Sequence, residues 1–295
     1  MEKAVVIGGG GFLGSHIADE LTERGFHVVV LDIKESPWIR PDQEMIIGDV
    51  FDSQKLDEAM AGATYCYHFA GIADIKQSRE QPMETLHVNV LGTAAVLEAA
   101  RRHEVCRVLY ASTMYVYSPF GSFYRASKQA SETIIESYEQ EFGISYTLLR
   151  YGSLYGPRSQ QWNGLRKYVK EIMERGSIDY PGTGAEMREY IHVKDAARLS
   201  VDAREEKFRN KAITVTGTQL LSSAETINLI FEIAGKEKSV VFSDGQTESY
   251  HYKMTPYRYT PKYAYKLVPE EFIDLGQGLL ELVEEVSEEL VDPTQ

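Results

Sequence analysis

The stretch Ala4-Val5-Val6-Ile7-Gly8-Gly9-Gly10-Gly11-Phe12-Leu13-Gly14 joins a short apolar run to a glycine cluster, and a helical pattern begins near Ser15. A side chain in such a tight turn would keep the backbone from approaching an anion, and the helix N-terminus behind it offers free N–H groups and a favourable dipole. A glycine turn also serves simply to pack a strand against a helix, so its meaning depends on what surrounds it. Working outward, short β-branched runs lie over 3–7, 27–32, 44–47, 65–68, 106–111 and 144–149. Amphipathic stretches near 12–25, 53–60, 85–103 and 124–142 separate them. That alternation predicts βαβ units on a doubly wound parallel sheet.

The second run, His27-Val28-Val29-Val30-Leu31, ends in Asp32, eighteen residues past Gly14. The spacing is close to the roughly 20 residues at which an acid meets the ribose of a bound dinucleotide. A carboxylate there accepts hydrogen bonds from both ribose hydroxyls and repels a 2′-phosphate, which favours NAD over NADP; the plainer reading is that Asp32 starts a turn. Asp49, in Gly48-Asp49-Val50 after the third run, has two readings as well: contact with the adenine, or a capping or turn role.

Composition bounds the function. A chain of 295 residues accommodates one large α/β domain with a smaller appendage. Its 43% hydrophobic and 25% charged residues are ordinary for a globular protein. A formal net charge of −13, with no run of Lys and Arg to offset it, argues against a nucleic-acid partner. Cys66 and Cys106 are too few for a disulfide framework, and no leader or membrane span is read, so the cytoplasm is the expected location. His16, His27, His68, His87, His103, His192 and His251 lack ligand spacing, and no metal is expected.

After Arg150 the texture changes, with turn residues clustered at 155–158 and 180–184. A dinucleotide-binding domain over 1–150, rejoined by about 190–217, and a smaller substrate-binding domain over 151–189 and 218–295 are expected. The run Ala212-Ile213-Thr214-Val215-Thr216 is read as a strand returning to the sheet, Ser222-x-x-Glu225 as a capping box, and Glu281 to Glu289 as a solvated helix face. The tyrosines at 250, 252, 257, 259, 263 and 265 are read as a substrate-domain wall.

Tyr124-Arg125-Ala126-Ser127-Lys128 puts a phenol and an ammonium on one helix face. A nearby cation favours the phenolate, which suits a group that must accept a proton. Upstream, Tyr110-Ala111-Ser112-Thr113 closes a strand and leads into Met114-Tyr115-Val116-Tyr117. Further matches are His68-Phe69-Ala70-Gly71, Asn89-Val90-x-Gly92-Thr93, Arg150-Tyr151-Gly152-Ser153-Leu154-Tyr155-Gly156-Pro157-Arg158 and Arg188-Glu189-Tyr190-Ile191-His192-Val193-x-Asp195. Together these segments resemble the extended short-chain dehydrogenase/reductases, the NAD-dependent epimerase/dehydratase family that includes nucleotide-sugar 4-epimerases. The likeness runs from Met1 to about Asp195.

The resemblance implies a Rossmann fold with a smaller C-terminal substrate-binding domain, and NAD held by Gly8, Gly11, Phe12, Leu13, Gly14, Asp32, Asp49, Val50, Phe69, Ala70, Gly71, Asn89, Tyr124 and Lys128. It implies that Thr113 orients the substrate hydroxyl, Tyr124 removes its proton, and Lys128 binds the nicotinamide ribose and tunes Tyr124. Ser153 and Arg188 would then contact the nucleotide sugar, Arg188 as a guanidinium fork on the diphosphate. It also implies a homodimer built through the helices near 85–103 and 124–142.

The chain departs from the family pattern in four places. Only eleven positions separate Thr113 from Tyr124, which implies a trimmed loop over the site or a bulkier substrate. Ser153 replaces a common asparagine, and Ala73 a lysine found in some epimerases. Met114 and Tyr115 stand where dehydratases, decarboxylases and C3/C5 epimerases of the family carry an added acid, base or cysteine. A thioether transfers no proton, and a phenol with a pKa near 10 is a poor base without help. The expected reaction is therefore confined to one carbinol carbon: a nucleotide-sugar 4-epimerase acting through a 4-keto intermediate. A 4-dehydrogenase or 4-ketoreductase and a non-catalytic NAD-sensing protein are the alternatives.

Overall fold

A computed structural model describes residues 1–243 and 251–259 of the chain. The Glu281 to Glu289 stretch, Tyr250, Tyr263 and Tyr265 lie outside the described residues. The first half runs β1 (Lys3–Ile7), α1 (Phe12–Glu23), β2 (His27–Asp32), β3 (Gln43–Ile47), α2 (Ser53–Met60) and β4 (Tyr65–His68). Short helices α3 (Ile75–Glu80) and α4 (Pro82–Leu86) lead through a π-helical turn, His87–Leu91, into α5 (Gly92–Arg102). Then come β5 (Arg107–Thr113), a 3₁₀ turn at Met114–Tyr117, α6 (Ser122–Phe142) and β6 (Tyr146–Tyr151). The single helix expected near 85–103 is thus three pieces. The π turn carries Asn89 inward, where it bonds to the backbone of a neighbouring loop.

Six of these strands and a seventh form one parallel sheet in the order β10-β6-β5-β4-β1-β2-β3. The seventh, β10 (Lys211–Val215), is the returning strand read from the sequence, and it pairs with β6 in register Ala212 to Leu148. Strand periodicity divides the core. Ala4, Val6, Val28 and Val30 face one side, packed with Ile17 and Leu21 of α1 and with Ala196, Ala197 and Val201. Val5, Ile7, Val29 and Leu31 face the other, against Leu56, Val96, Leu97 and Ile135. Both faces are covered by helices, which is why the strands are near-continuous apolar runs.

Between β6 and β10 the chain adds β7 (Ser153–Tyr155), α7 (Gly164–Arg175), β8 (Ile178–Tyr180), β9 (Met187–His192) and α8 (Val193–Asp202). After β10 follow β11 (Leu220–Ser222), α9 (Ser223–Ala234) and β12 (Val240–Phe242). These strands make a three-stranded sheet, β11-β9-β7, and a two-stranded one, β12-β8. A small cluster of Ile172, Ile178, Tyr180, Ile227 and Phe231 packs α7 against α9. The Ser222–Glu225 capping box opens α9, each side chain bonding the other's backbone N–H. No helix of the described residues is long and apolar enough to cross a membrane.

One polar contact lies deep in this architecture. Arg150 of β6 donates from Nε and Nη2 to the two oxygens of Glu132 on α6, at 2.9 and 2.6 Å, and Ser112 Oγ donates to the same carboxylate at 2.5 Å. The two side chains are only 9% and 5% exposed. Removing one partner strands the other charge in the interior. Glu132→Ala is therefore expected to lower the unfolding free energy by about 3–5 kcal/mol, read as a drop in the midpoint of urea denaturation; a change below about 1 kcal/mol would contradict it.

Candidate active site

The glycine turn sits at the C-terminal ends of β1 and β4. Gly8 has φ +78°, and a Cβ there would lie 2.4 Å from Ala70 N. A Cβ on Gly14 would lie 2.3 Å from Gly8 O and 2.8 Å from Gly9 Cα, so both positions are closed to side chains by backbone that cannot step aside. Gly11 caps α1 without a side-chain hydrogen bond, which leaves the first-turn amides to an anion. Gly8, Gly11, Phe12, Leu13 and Gly14 line one end of a cavity of about 1390 Å³. The turn therefore fits a dinucleotide pyrophosphate.

Asp32 lines the same end, and its Oδ2 accepts from Gly10 N–H at 2.9 Å, which ties the end of β2 to the turn. Asp49 and Val50 also line it; the Asp49 carboxylate accepts from Phe51 N–H at 2.9 Å, so the turn role is present whatever Asp49 binds. Phe69, Ala70 and Gly71 form the wall after β4. Asn89, expected to touch the cofactor, is set back from this wall and is 1% exposed. It accepts from Ile72 N–H at 2.7 Å and donates to Ile72 O at 3.0 Å and Ser127 Oγ at 2.9 Å, joining the post-β4 loop to α6.

Farther along the cavity Thr113, Tyr124 and Lys128 come together. Thr113 ends β5; its hydroxyl accepts from Tyr115 N–H at 3.3 Å. Lys128 is 5% exposed, donates to Ala111 O at 2.7 Å, and lies 4.6 Å from the centroid of the Tyr110 ring. Burial raises the Tyr124 phenol above its ordinary value, while the Lys128 charge and a hydrogen bond with Thr113 pull it down. Burial lowers the Lys128 ammonium, opposed by Tyr124 and Glu132. The ammonium alone thus leaves the phenol above 10 rather than bringing it toward neutrality, because desolvation of the phenolate is the larger effect.

Past this trio the cavity opens between β7, β9 and the segment 251–259, where Ser153 and Arg188 line it. The Arg188 guanidinium stacks 4.6 Å from the centroid of the Tyr252 ring, which is 5% exposed. Tyr252 was legible only as one of a run of tyrosines. His251, which also lines the cavity, carried no signal in the sequence, because its neighbours there are brought in from Tyr115, 136 positions away.

A family model described as the NAD dependent epimerase/dehydratase family matches residues 4–215. A putative UDP-glucose 4-epimerase of Methanocaldococcus jannaschii is 27% identical over 79% of this chain and 81% of its own. A UDP-N-acetyl-alpha-D-glucosaminuronate decarboxylase of Bacillus cytotoxicus is 25% identical over 81% and 83%. The crystal structure of the Thermus thermophilus UDP-glucose 4-epimerase complex with NAD superposes with a TM-score of 0.74 at 28% identity, over 86% of this chain and 89% of that one.

Substitution tests a ribose role for Asp32, whose carboxylate accepts from Gly10 N–H and lines the cavity. Asp32→Asn is expected to weaken NAD binding about tenfold and to narrow the gap between NAD and NADP. Calorimetric titration with both cofactors measures it, and an unchanged affinity ratio would remove Asp32 from that role.

Proposed function

Because the chain belongs to the NAD dependent epimerase/dehydratase family, we propose that it is a nucleotide-sugar 4-epimerase working through a 4-keto intermediate. The observation that carries the reading is the convergence of Thr113, Tyr124 and Lys128 in the cavity that also holds the glycine turn at one end and Arg188 at the other. Held at the glycine turn by Gly8, Gly11 and Gly14, NAD would supply a reversible hydride acceptor for the C4 carbinol. The chain's own groups do the rest. The Thr113 hydroxyl orients the sugar O4 for Tyr124, whose phenolate removes the hydroxyl proton and later restores it. Lys128 opposes the effect of burial on that phenol and holds the nicotinamide ribose. Arg188 receives the diphosphate of the sugar nucleotide, with Ser153 beside it.

An epimerase returns both hydrogens to one substrate, so UDP-, GDP- and dTDP-hexoses incubated with limiting NAD are expected to invert at C4 without net NADH, followed by NMR and absorbance. Stoichiometric NADH with a ketosugar would replace this reading by a 4-dehydrogenase. Tyr124→Phe is expected to bind NAD but to lose about 10²–10⁴ in turnover; undiminished turnover would sink the assignment. The pH dependence follows from the charge on Lys128. Its removal in Lys128→Met leaves burial less opposed, raises the Tyr124 pKa further, and moves the rising limb of the rate profile to higher pH.

The proposed location is the cytoplasm, and the proposed assembly is a homodimer through the α4–α5 region and α6. Leu91 and Phe142, each 55% exposed, are apolar side chains in those helical segments. Light scattering is expected to give twice the chain mass; a monomer mass at every concentration would count against the dimer.

A further inference from the structure

The connection from Thr113 to Tyr124 carries a side chain that C4 chemistry does not use. Tyr115 sits in the 3₁₀ turn whose start is fixed by the Thr113 hydroxyl. Gly121, at φ +99°, makes room for its ring: a Cβ there would lie 2.6 Å from Tyr115 Cδ1. The ring stands edge-on to Tyr124, with centroids 6.2 Å apart at 71°, and 4.6 Å from the ring of Tyr252. Its hydroxyl is 2.5 Å from His251 Nδ1. Both residues line the cavity that Thr113 and Tyr124 line.

The segment bearing His251 is anchored at several points. Met187 N–H donates to Lys253 O at 2.8 Å, and Glu189 N–H to Thr255 Oγ1 at 3.4 Å. The Tyr257 hydroxyl bonds to Glu189, and Arg150 Nη2 donates to the Tyr259 hydroxyl at 3.0 Å. The meeting of phenol and imidazole is therefore held by the fold on both sides.

We propose that Tyr115 and His251 form a second proton-transfer pair, which removes and returns the hydrogen on a sugar carbon flanking a C4 ketone. The inference rests on the reading of the cavity as a nucleotide-sugar site. Once C4 is a ketone, a flanking C–H bond becomes acidic, because its electron pair can move onto O4, where Thr113 and Tyr124 offer hydroxyl donors. The C–H bond breaks, the pair goes to O4 as an enolate, and the proton passes to the Tyr115 oxygen as that oxygen's own proton moves to His251 Nδ1. No oxidant is consumed. Return of a proton from the Tyr115 oxygen restores the ketone, and exchange of that hydroxyl proton with water while the enolate persists makes the step visible.

A phenol is a poor base by itself, and burial raises Tyr115 further. The imidazole supplies the missing acceptor: burial and the Arg188 charge, opposed by Asp74, hold His251 below its ordinary pKa and so neutral at pH 7. A second proton-transfer pair thus stands where the sequence offered only a thioether and an isolated phenol.

The test uses the full chain with NAD in D₂O and UDP-4-keto-6-deoxyglucose as probe, which needs no prior oxidation at C4. Proton NMR is expected to show loss of the C3 or C5 hydrogen at about a hundred times the buffer rate, in line with general acid–base assistance. Tyr115→Phe, which keeps the ring, and His251→Gln are each expected to cut that rate at least about tenfold while still binding the probe. Exchange at the buffer rate, or undiminished exchange in both variants, would overturn the pair. C4 inversion of unoxidised UDP-hexoses is scored separately, so a chain that inverts C4 without exchange keeps the epimerase reading and loses this one. Exchange without inversion does the reverse.

Discussion

Burying a carboxylate and a guanidinium costs several kcal/mol of hydration for each, and the pair persists only where geometry and further hydrogen bonds offset that loss. Glu132 and Arg150 meet the condition with two parallel N–H···O bonds and a third from Ser112. The remaining Arg150 donors reach the hydroxyls of Tyr117 and Tyr259. The cluster touches the segments that bring Thr113, Tyr115, Lys128 and His251 to the cavity. Ser112 precedes Thr113 on β5, Lys128 lies one turn before Glu132 on α6, Tyr117 closes the turn that holds Tyr115, and Tyr259 anchors the segment of His251. A shift of this pair would move all four segments together.

The other end of the cavity depends on close backbone approach. Where β1 meets α1, Gly8 and Gly14 are pressed against Ala70, Gly8 and Gly9 at distances that exclude a Cβ, and the uncapped start of α1 is turned to face the space this leaves. Asp32 braces the turn through Gly10. One end is thus shaped by the absence of side chains and the other by buried polar ones. Burial in the second region pushes Tyr124 upward and Lys128 downward, toward the neutral form of each, and their mutual attraction opposes both shifts. Their chemistry is set by this balance of burial and charge, which neither residue type carries alone.

The strands of the sheet and the placing of Tyr124 and Lys128 on one helix face were legible because each depends on local periodicity: two residues for a strand, about 3.6 for a helix, four for neighbours on a helix face. The return of β10 to the sheet was readable from its β-branched run. The break in the helix near 85–103 was not, since a π turn adds a residue without altering the apolar pattern, and its product, the inward Asn89, bonds to a loop rather than facing the cavity.

By itself, then, the sequence determined the α/β class, the glycine turn with its acidic partner Asp32, and the Thr113, Tyr124 and Lys128 set, all of which lie within or between consecutive elements. Only the tertiary structure decided that Glu132 and Arg150 share a buried contact, that Arg188 lies over Tyr252, and that His251 meets the Tyr115 hydroxyl. Those contacts join residues 18, 64 and 136 positions apart. Their partners are selected by the packing of separate layers, and no spacing along the chain encodes it.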